Sequence, residues 1–144
     1  MAEANYRAPD LSLVGDEHVR SYQESGGDVG YLWNGVPTLL LTTKGRRTGE
    51  PRTSALIFAR HGDDYLVVAS MGGAPQHPQW YLNLTAHPEA EIQVQARRLP
   101  IVARTASDEE KPVLWQLVSG VWPNYDVYQS RTQRDIPVIV LSPA

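Results

Sequence analysis

Between Lys44 and Arg52 the chain reads KGRRTGEPR, placing four of its thirteen basic residues in nine positions beside one acid, Glu50. The protein as a whole is acidic, with a formal net charge of −3. Gly45 and Gly49 let such a turn bend and present N–H groups. Thr48 adds a hydroxyl, and Arg46, Arg47 and Arg52 add charge-assisted donors. That is the chemistry of a seat for a small anion such as a phosphate, although a solvated hairpin turn of the same composition would keep a sheet edge soluble. The stretch is not a Walker A loop, since no Gly-Lys-Thr follows and no helix opens after it. Nor is it wide enough for a nucleic acid, so no nucleic-acid partner is expected.

Two further groups of residues carry polar or planar chemistry. Ser70-Met71-Gly72-Gly73 follows an apolar run. Its paired glycines allow close approach of a ligand to the backbone, or simply end a strand. Trp122, Tyr125 and Tyr128 recur at i, i+3 spacing and fan across one helix face, suited to lining a planar pocket or to ordinary core packing. His18, His61, His77 and His87 are scattered without metal-ligand spacing, and no metal site is expected. There is no G-x-S-x-G elbow for a serine nucleophile, and Gly26–Gly30 is not a dinucleotide fingerprint.

The elements that must position these residues follow from periodicity. Asp16 is expected to cap a short helix running to about Glu24, ahead of the Gly26-Gly27-Asp28 breaker. Pro37–Thr43, Arg52–Arg60 and Tyr65–Ser70 read as strands joined by turn-length links. Pro78 suits the first turn of a helix carrying Trp80, Leu82 and Leu84. Glu91–Ala96 alternates polar and apolar as a half-exposed strand does, and Arg97-Arg98 turns the chain into a strand over Leu99–Thr105. Ser107 with Glu110 is a capping-box signature for a helix over Lys111–Ser119. Another helical segment is expected from about Pro123 to Arg131, and Ile136–Leu141 as a last strand. Six strands with three or four short helices, joined mostly by hairpin turns, favour a small antiparallel barrel over a doubly wound parallel sheet.

Composition narrows the class further. At 144 residues the chain is most simply one core-forming domain, 42% hydrophobic and 20% charged. It has no cysteine, which excludes disulfides, thiolate metal sites and a cysteine nucleophile. The N-terminus has neither a basic region nor an apolar one, so no secretory signal is expected, and no apolar run reaches membrane-spanning length.

With these segments laid out, the chain resembles the deazaflavin (F420)-dependent nitroreductase family of actinobacteria, split β-barrel quinone and nitro reductases. LLLTTKGRRTGEPR, VVASMGG, HPQWYLNLTAHPEAEIQV, the stretch from Trp122 to Arg134, and IPVIVL stand in the family's order. The resemblance implies an N-terminal arm and short helix over 1–34 and a split, FMN-binding-like barrel over 35–144. It also implies reduced F420 as hydride donor to a quinone, nitroaromatic or activated alkene. By position, Lys44, Arg46, Arg47, Thr48 and Arg52 would hold the cofactor's phosphodiester, with Ser54 nearby. Ala69, Ser70 and Met71 would lie along the ring, and Gln79 and Trp80 would touch the cofactor from the next helix. Tyr125, Tyr128 and Ser70 would act at the reacting end, one tyrosine orienting or protonating the acceptor, with Trp122 in the same substrate pocket.

Two positions depart from the family pattern: Met71 stands in place of a lysine near the anionic tail, and Trp122 in place of a further tyrosine. The family's apolar, basic N-terminal helix is also unlike residues 1–24, so a more soluble protein is expected. It would be cytoplasmic, with no stable membrane insertion, peripheral contact with the inner membrane face left open, and monomeric or weakly dimeric. Two other readings share the barrel: a protein that sequesters F420 or a fatty acid without turnover, and an FMN oxidoreductase. If the basic turn holds the phosphodiester, Arg52→Ala should weaken F420 binding by more than about 1 kcal/mol, the net worth of an ordinary hydrogen bond. Titration calorimetry measures this, and an unchanged affinity would place the cofactor elsewhere.

Overall fold

The computed structural model describes residues 6–144, so the first five positions of the expected arm lie outside the described residues. The central strand is β2 (Val36–Lys44), whose apolar run is paired on both edges. On one edge it meets β3 (Pro51–Ile57) through the basic turn. On the other it meets β6 (Glu89–Val94), followed in space by β7 (Arg97–Thr105), β8 (Val138–Pro143) and β5 (Asp64–Val68), every pairing antiparallel. β4 (Ala59–His61) pairs with β5. Because β3 and β4 are separated only by Phe58, one bent strand joins the two ends of the sheet.

The six expected strands are all present in a mainly β split barrel. The described residues contain eight because the second is broken at Phe58 and a two-residue β1 (Leu32–Trp33) adds to β2. The break has a physical reason. Phe58 turns its N–H to Pro37 O (3.2 Å) and buries its ring against Tyr65, so the chain bends where it exchanges one partner strand for the other. The last strand begins at Val138 rather than Ile136, which leaves Pro137 outside the ladder with its carbonyl bonded to the Ala69 N–H.

Alternation along β5 and β8 divides the core. Val67, Ile139 and Leu141 face one cluster with Leu39, Leu41, Ile92 and Trp80. Leu66, Val68, Val138 and Val140 face a second, covered by α3 (Lys111–Val121) and α4 (Asn124–Ser130). Strands buried on both faces read as continuous apolar runs, which is why these two stood out in the sequence. Ahead of α3 the capping box forms reciprocally. Glu110 N–H donates to Ser107 Oγ (3.3 Å), and Ser107 N–H donates to the Glu110 carboxylate (2.8 Å). Hydrogen bonds from Arg104 and then Ser107 pull the Glu110 carboxyl down to about 2.

The first helix, α1 (Gly15–Ser25), differs from expectation at its start. Val14 occupies the cap position without a side-chain cap, and Asp16 lies inside the first turn, where its charge still complements the N-terminal dipole. Tyr22 is fully buried and joins three elements: its hydroxyl donates to Thr38 O (3.0 Å) and accepts from Gln95 N–H (2.7 Å) in the β6–β7 turn. Residues 6–14 are docked by two side-chain amides that imitate strand pairing. Asn124 accepts from Arg7 N–H (2.9 Å) and donates to Arg7 O (2.7 Å). Asn34 treats Asp10 the same way (2.7 and 3.0 Å). Tyr22→Phe should cost about 1–3 kcal/mol in urea unfolding, because it strands the buried Thr38 carbonyl and takes the partner from the Gln95 N–H.

Candidate functional site

The basic turn is built by sterics as much as by charge. A side chain at Gly45 would press on Glu50 O at 3.0 Å, and Gly49 sits at φ +76, so both positions favour glycine. Gly45 and Gly49 N–H groups close the turn internally, onto Glu50 O and Gly45 O. Those of Arg47 and Thr48 have no partner among the described residues. Arg46 is fixed from below by α2 (Gln79–Ala86). Its guanidinium donates to Asn83 Oδ1 (2.9 Å) and Gln79 Oε1 (2.8 Å), and its N–H also reaches Asn83. Asn83 is buried and donates to Thr43 Oγ1. Arg52 meets only Glu50 at 3.6 Å, with both side chains exposed, a pairing too weak to occupy the guanidinium.

Arg46, Arg47, Thr48, Arg52, Ser54, Gln79 and Trp80 line one concavity of about 490 Å³. Beside it lies a second, of about 340 Å³, where Ser70, Met71, Trp80, Trp122, Tyr125 and Tyr128 meet Trp33 and the β3 residues Ala55–Ile57. Trp80 belongs to both, and consecutive residues of β3 and of α1 pass from one to the other. The two concavities therefore form one cleft, cationic at one end and aromatic at the other. No Asp, Glu, Lys or Arg lines the aromatic end. Such a cleft suits a ligand with an anionic tail and a flat, mostly apolar head.

Most polar atoms at the aromatic end are already bonded, and two hydroxyls are not. Tyr125 is 5% exposed, and its hydroxyl bonds to no described residue, as is also true of Ser70 Oγ. Burial, then the neighbouring Tyr128, pushes the Tyr125 phenol far above its usual value, so it keeps its proton and can donate a hydrogen bond. Tyr128 hydroxyl accepts from Trp122 Nε1–H (3.3 Å), which leaves its own proton free. Trp122 ends α3, while Tyr125 and Tyr128 lie on α4, so the i, i+3 face spans a helix junction at Pro123.

Two expected residues lie elsewhere, and a third bears on the ring end alone. Lys44 lines a different surface concavity with Gly49, Pro51 and Glu91. Ala69 is fully buried in the opposite core cluster, as alternation demands when Val68 and Ser70 face the cleft. Met71, 54% exposed, stands at the aromatic end and does not line the arginine pocket, so its lost charge does not bear on the tail seat.

Two residues had no signal in the sequence. Arg134 donates to Ala69 O (3.2 Å), Ser70 O (2.9 Å), Ala74 O (2.8 Å) and His77 Nδ1 (3.2 Å), so one side chain shapes the whole loop from β5 to α2. Gly73 completes this, since a Cβ there would lie 2.7 Å from Tyr128 O, and only glycine lets the loop rest on α4. The other is His18, buried on α1 and lining the aromatic end, whose spacing to other histidines carried no message.

Fold and cleft together define a split-barrel protein built around a planar ligand with an anionic tail. The chain belongs to the F420H2-dependent quinone reductase family, whose model matches residues 15–143. It is 45% identical over 129 residues to an F420H2-dependent quinone reductase of Mycobacterium tuberculosis H37Rv, covering 87% of each chain. A solved F420-H2 dependent reductase (FDR-A) superposes with a TM-score of 0.69 at 37% identity, over 74% of this chain and 94% of that one. Another solved structure, described as a domain-swapped dimer, gives 0.71 at 32% identity over 88% and 95%. No described helix is long and apolar enough to cross a membrane.

The Arg134–His77 contact makes a testable statement about pH. Nδ1 must hold a lone pair to accept from Arg134. Burial, then the Arg134 charge, lowers the His77 pKa below its ordinary value of about 6.5. A folded state that disfavours the proton is at full strength above about pH 6.5 and loses stability as acid titrates the ring. An NMR titration should therefore find His77 below the ordinary value, and Arg134→Gln should raise it while costing about 2 kcal/mol or more, as the loop carbonyls lose their donor.

Proposed function

We propose that the protein carries a hydride from reduced F420 to a quinone. The observation that supports this best is the single cleft with a cationic seat and an aromatic end meeting at Trp80. The residues present fit the cofactor. Free N–H groups and Arg46, Arg47 and Arg52 suit the phosphodiester, Ser54, Gln79 and Trp80 suit the span between tail and ring, and Ser70 and Met71 suit the ring edge. When bound, reduced F420 supplies the hydride and its two electrons.

The chain's own part is binding, orientation and exclusion of water. Arg46 is held rigid by Gln79 and Asn83, so the anion meets a preorganised donor. Arg134 sets the loop carrying Ser70, and Gly73 brings that loop against the helix of Tyr125 and Tyr128. Tyr125, keeping its proton, donates a hydrogen bond that strengthens as charge builds on the acceptor oxygen. A nitroaromatic or an enone fits the same flat pocket. Trp122, with its only N–H turned to Tyr128, offers such an acceptor no hydroxyl. The cysteine-free composition suits a cytoplasmic protein, and a monomer or weak homodimer is sufficient because one chain supplies the whole cleft.

Mixing the protein with reduced F420 and menadione should restore the absorbance of oxidised F420, faster than with a nitroaromatic. No return across several quinones and nitroaromatics would refute the reading. Quenching of F420 fluorescence without turnover would indicate a sequestering protein, and release of FMN from yellow protein would indicate the flavin enzyme.

A further inference from the structure

Hydride addition to a quinone leaves negative charge on an oxygen, and the product needs one proton. At the aromatic end, the side chains that carry exchangeable protons at their tips are Ser70, Thr38, Trp33, Trp80, Trp122, the two tyrosines and His18. Neither an indole nor an aliphatic hydroxyl is an acid near neutrality, and burial makes the Tyr125 phenol a weaker one than usual. Imidazole is the side chain in that set that most often hands a proton to a reacting atom.

The setting of His18 fixes which nitrogen does so. Its Nε2 lies 2.8 Å from Gly30 O. A carbonyl can only accept, so Nε2 carries a hydrogen in every protonation state. Gly30 is required for the contact, since a Cβ there would sit 2.8 Å from the His18 ring. Thr38 Oγ1 also donates to that carbonyl (2.6 Å) and holds it in place. Nδ1, on the far side of the ring from Gly30, has no hydrogen-bond partner among the described residues and is not fully buried, although the residue as a whole, which lines the cavity, is only 5% exposed. Any proton the ring hands to a ligand is therefore the one on Nδ1.

We propose that His18 is the proton donor to the acceptor, delivering its Nδ1 proton to the quinone oxygen that hydride transfer charges. This rests on the quinone reading above. The Nδ1–H bond breaks and an O–H bond forms on the acceptor, whose two electrons came with the hydride. The neutral ring then accepts a hydrogen bond from the new hydroxyl at Nδ1, and water returns a proton to Nδ1 after product leaves. In its cationic form the ring binds the quinone, and in its neutral form the quinol, with no movement of the side chain.

The groups facing the ring leave this role to it. Tyr22 shares its helix with ring centroids 6.5 Å apart, and its hydroxyl is spent on Thr38 O and Gln95 N–H. The cavity that His18 lines is completed from β2 and β3 by Thr38 and Ala55–Ile57, and from α4 by the two tyrosines. The nearest acid lining the cleft, Asp16, belongs to the arginine end.

The test uses the full chain saturated with oxidised F420, so that menadione binds without turnover. Imidazole 15N spectra should show the His18 Nδ1 signal moving on menadione addition while Nε2 stays. Menadione affinity should weaken by about tenfold or more as the pH is raised and the charged donor is lost, the worth of a charge-assisted hydrogen bond. His18→Gln should flatten that dependence. If the variant does not fold, the wild-type spectra decide alone. Menadione that binds with the Nδ1 signal unmoved and affinity independent of pH would overturn the role of His18 and leave the quinone reading intact. Absence of menadione binding would overturn both.

Discussion

The bend at Phe58 is the constraint on which the rest of the molecule depends. One strand must pair with β2 along its first half and with β5 along its second, and only a break between them lets the sheet's two ends meet. The break is held by burial of the Phe58 ring and by its N–H turning to Pro37 O. Its consequence for function is direct. The β3 half, from Thr53 to Ile57, runs the full length of the cleft, supplying the arginine end first and the aromatic end next.

Around that floor the walls are positioned by polar contacts rather than by apolar packing. Arg46 is tied to α2, Arg134 gathers three carbonyls and a histidine nitrogen, and Asn124 and Asn34 bind the arm that brings Val14 to the cavity edge. Apolar burial is non-directional and tolerates small shifts, whereas a hydrogen bond is lost over a fraction of an ångström. A cleft that must hold a ring against an acceptor at reactive distance needs the second kind of control at its rim.

Much of this was legible in the sequence, for identifiable reasons. β5 and β8 are buried on both faces, so their residues had to be apolar throughout, and a turn with four cations is visible as local charge. The break at Phe58 was not legible, because phenylalanine is a good strand residue and the bend answers to partners distant in sequence. β1 is too short to show a period. Lys44 was grouped with the arginines by adjacency, yet it lines a different surface. Ala69 was placed at the ring from its neighbours, although alternation with Val68 and Ser70 already assigned it to the opposite face. Arg134 and His18 were silent because a lone polar residue gains its meaning from a carbonyl many positions away.

These silent residues also explain why a search for catalytic motifs found none. Nucleophiles and metal ligands leave spacings because several side chains must converge on one atom. Where the cofactor brings the electrons, the protein needs a cationic seat, a flat dry pocket and a few donors. Each of those can come from any strand or helix that reaches the cleft. The basic turn was conspicuous because an anion requires several like charges at once. At the aromatic end the tyrosines share a visible spacing, but nothing in the sequence ties them to His18, and the fold alone assembles Ser70, Tyr125, Tyr128 and His18 around one cavity.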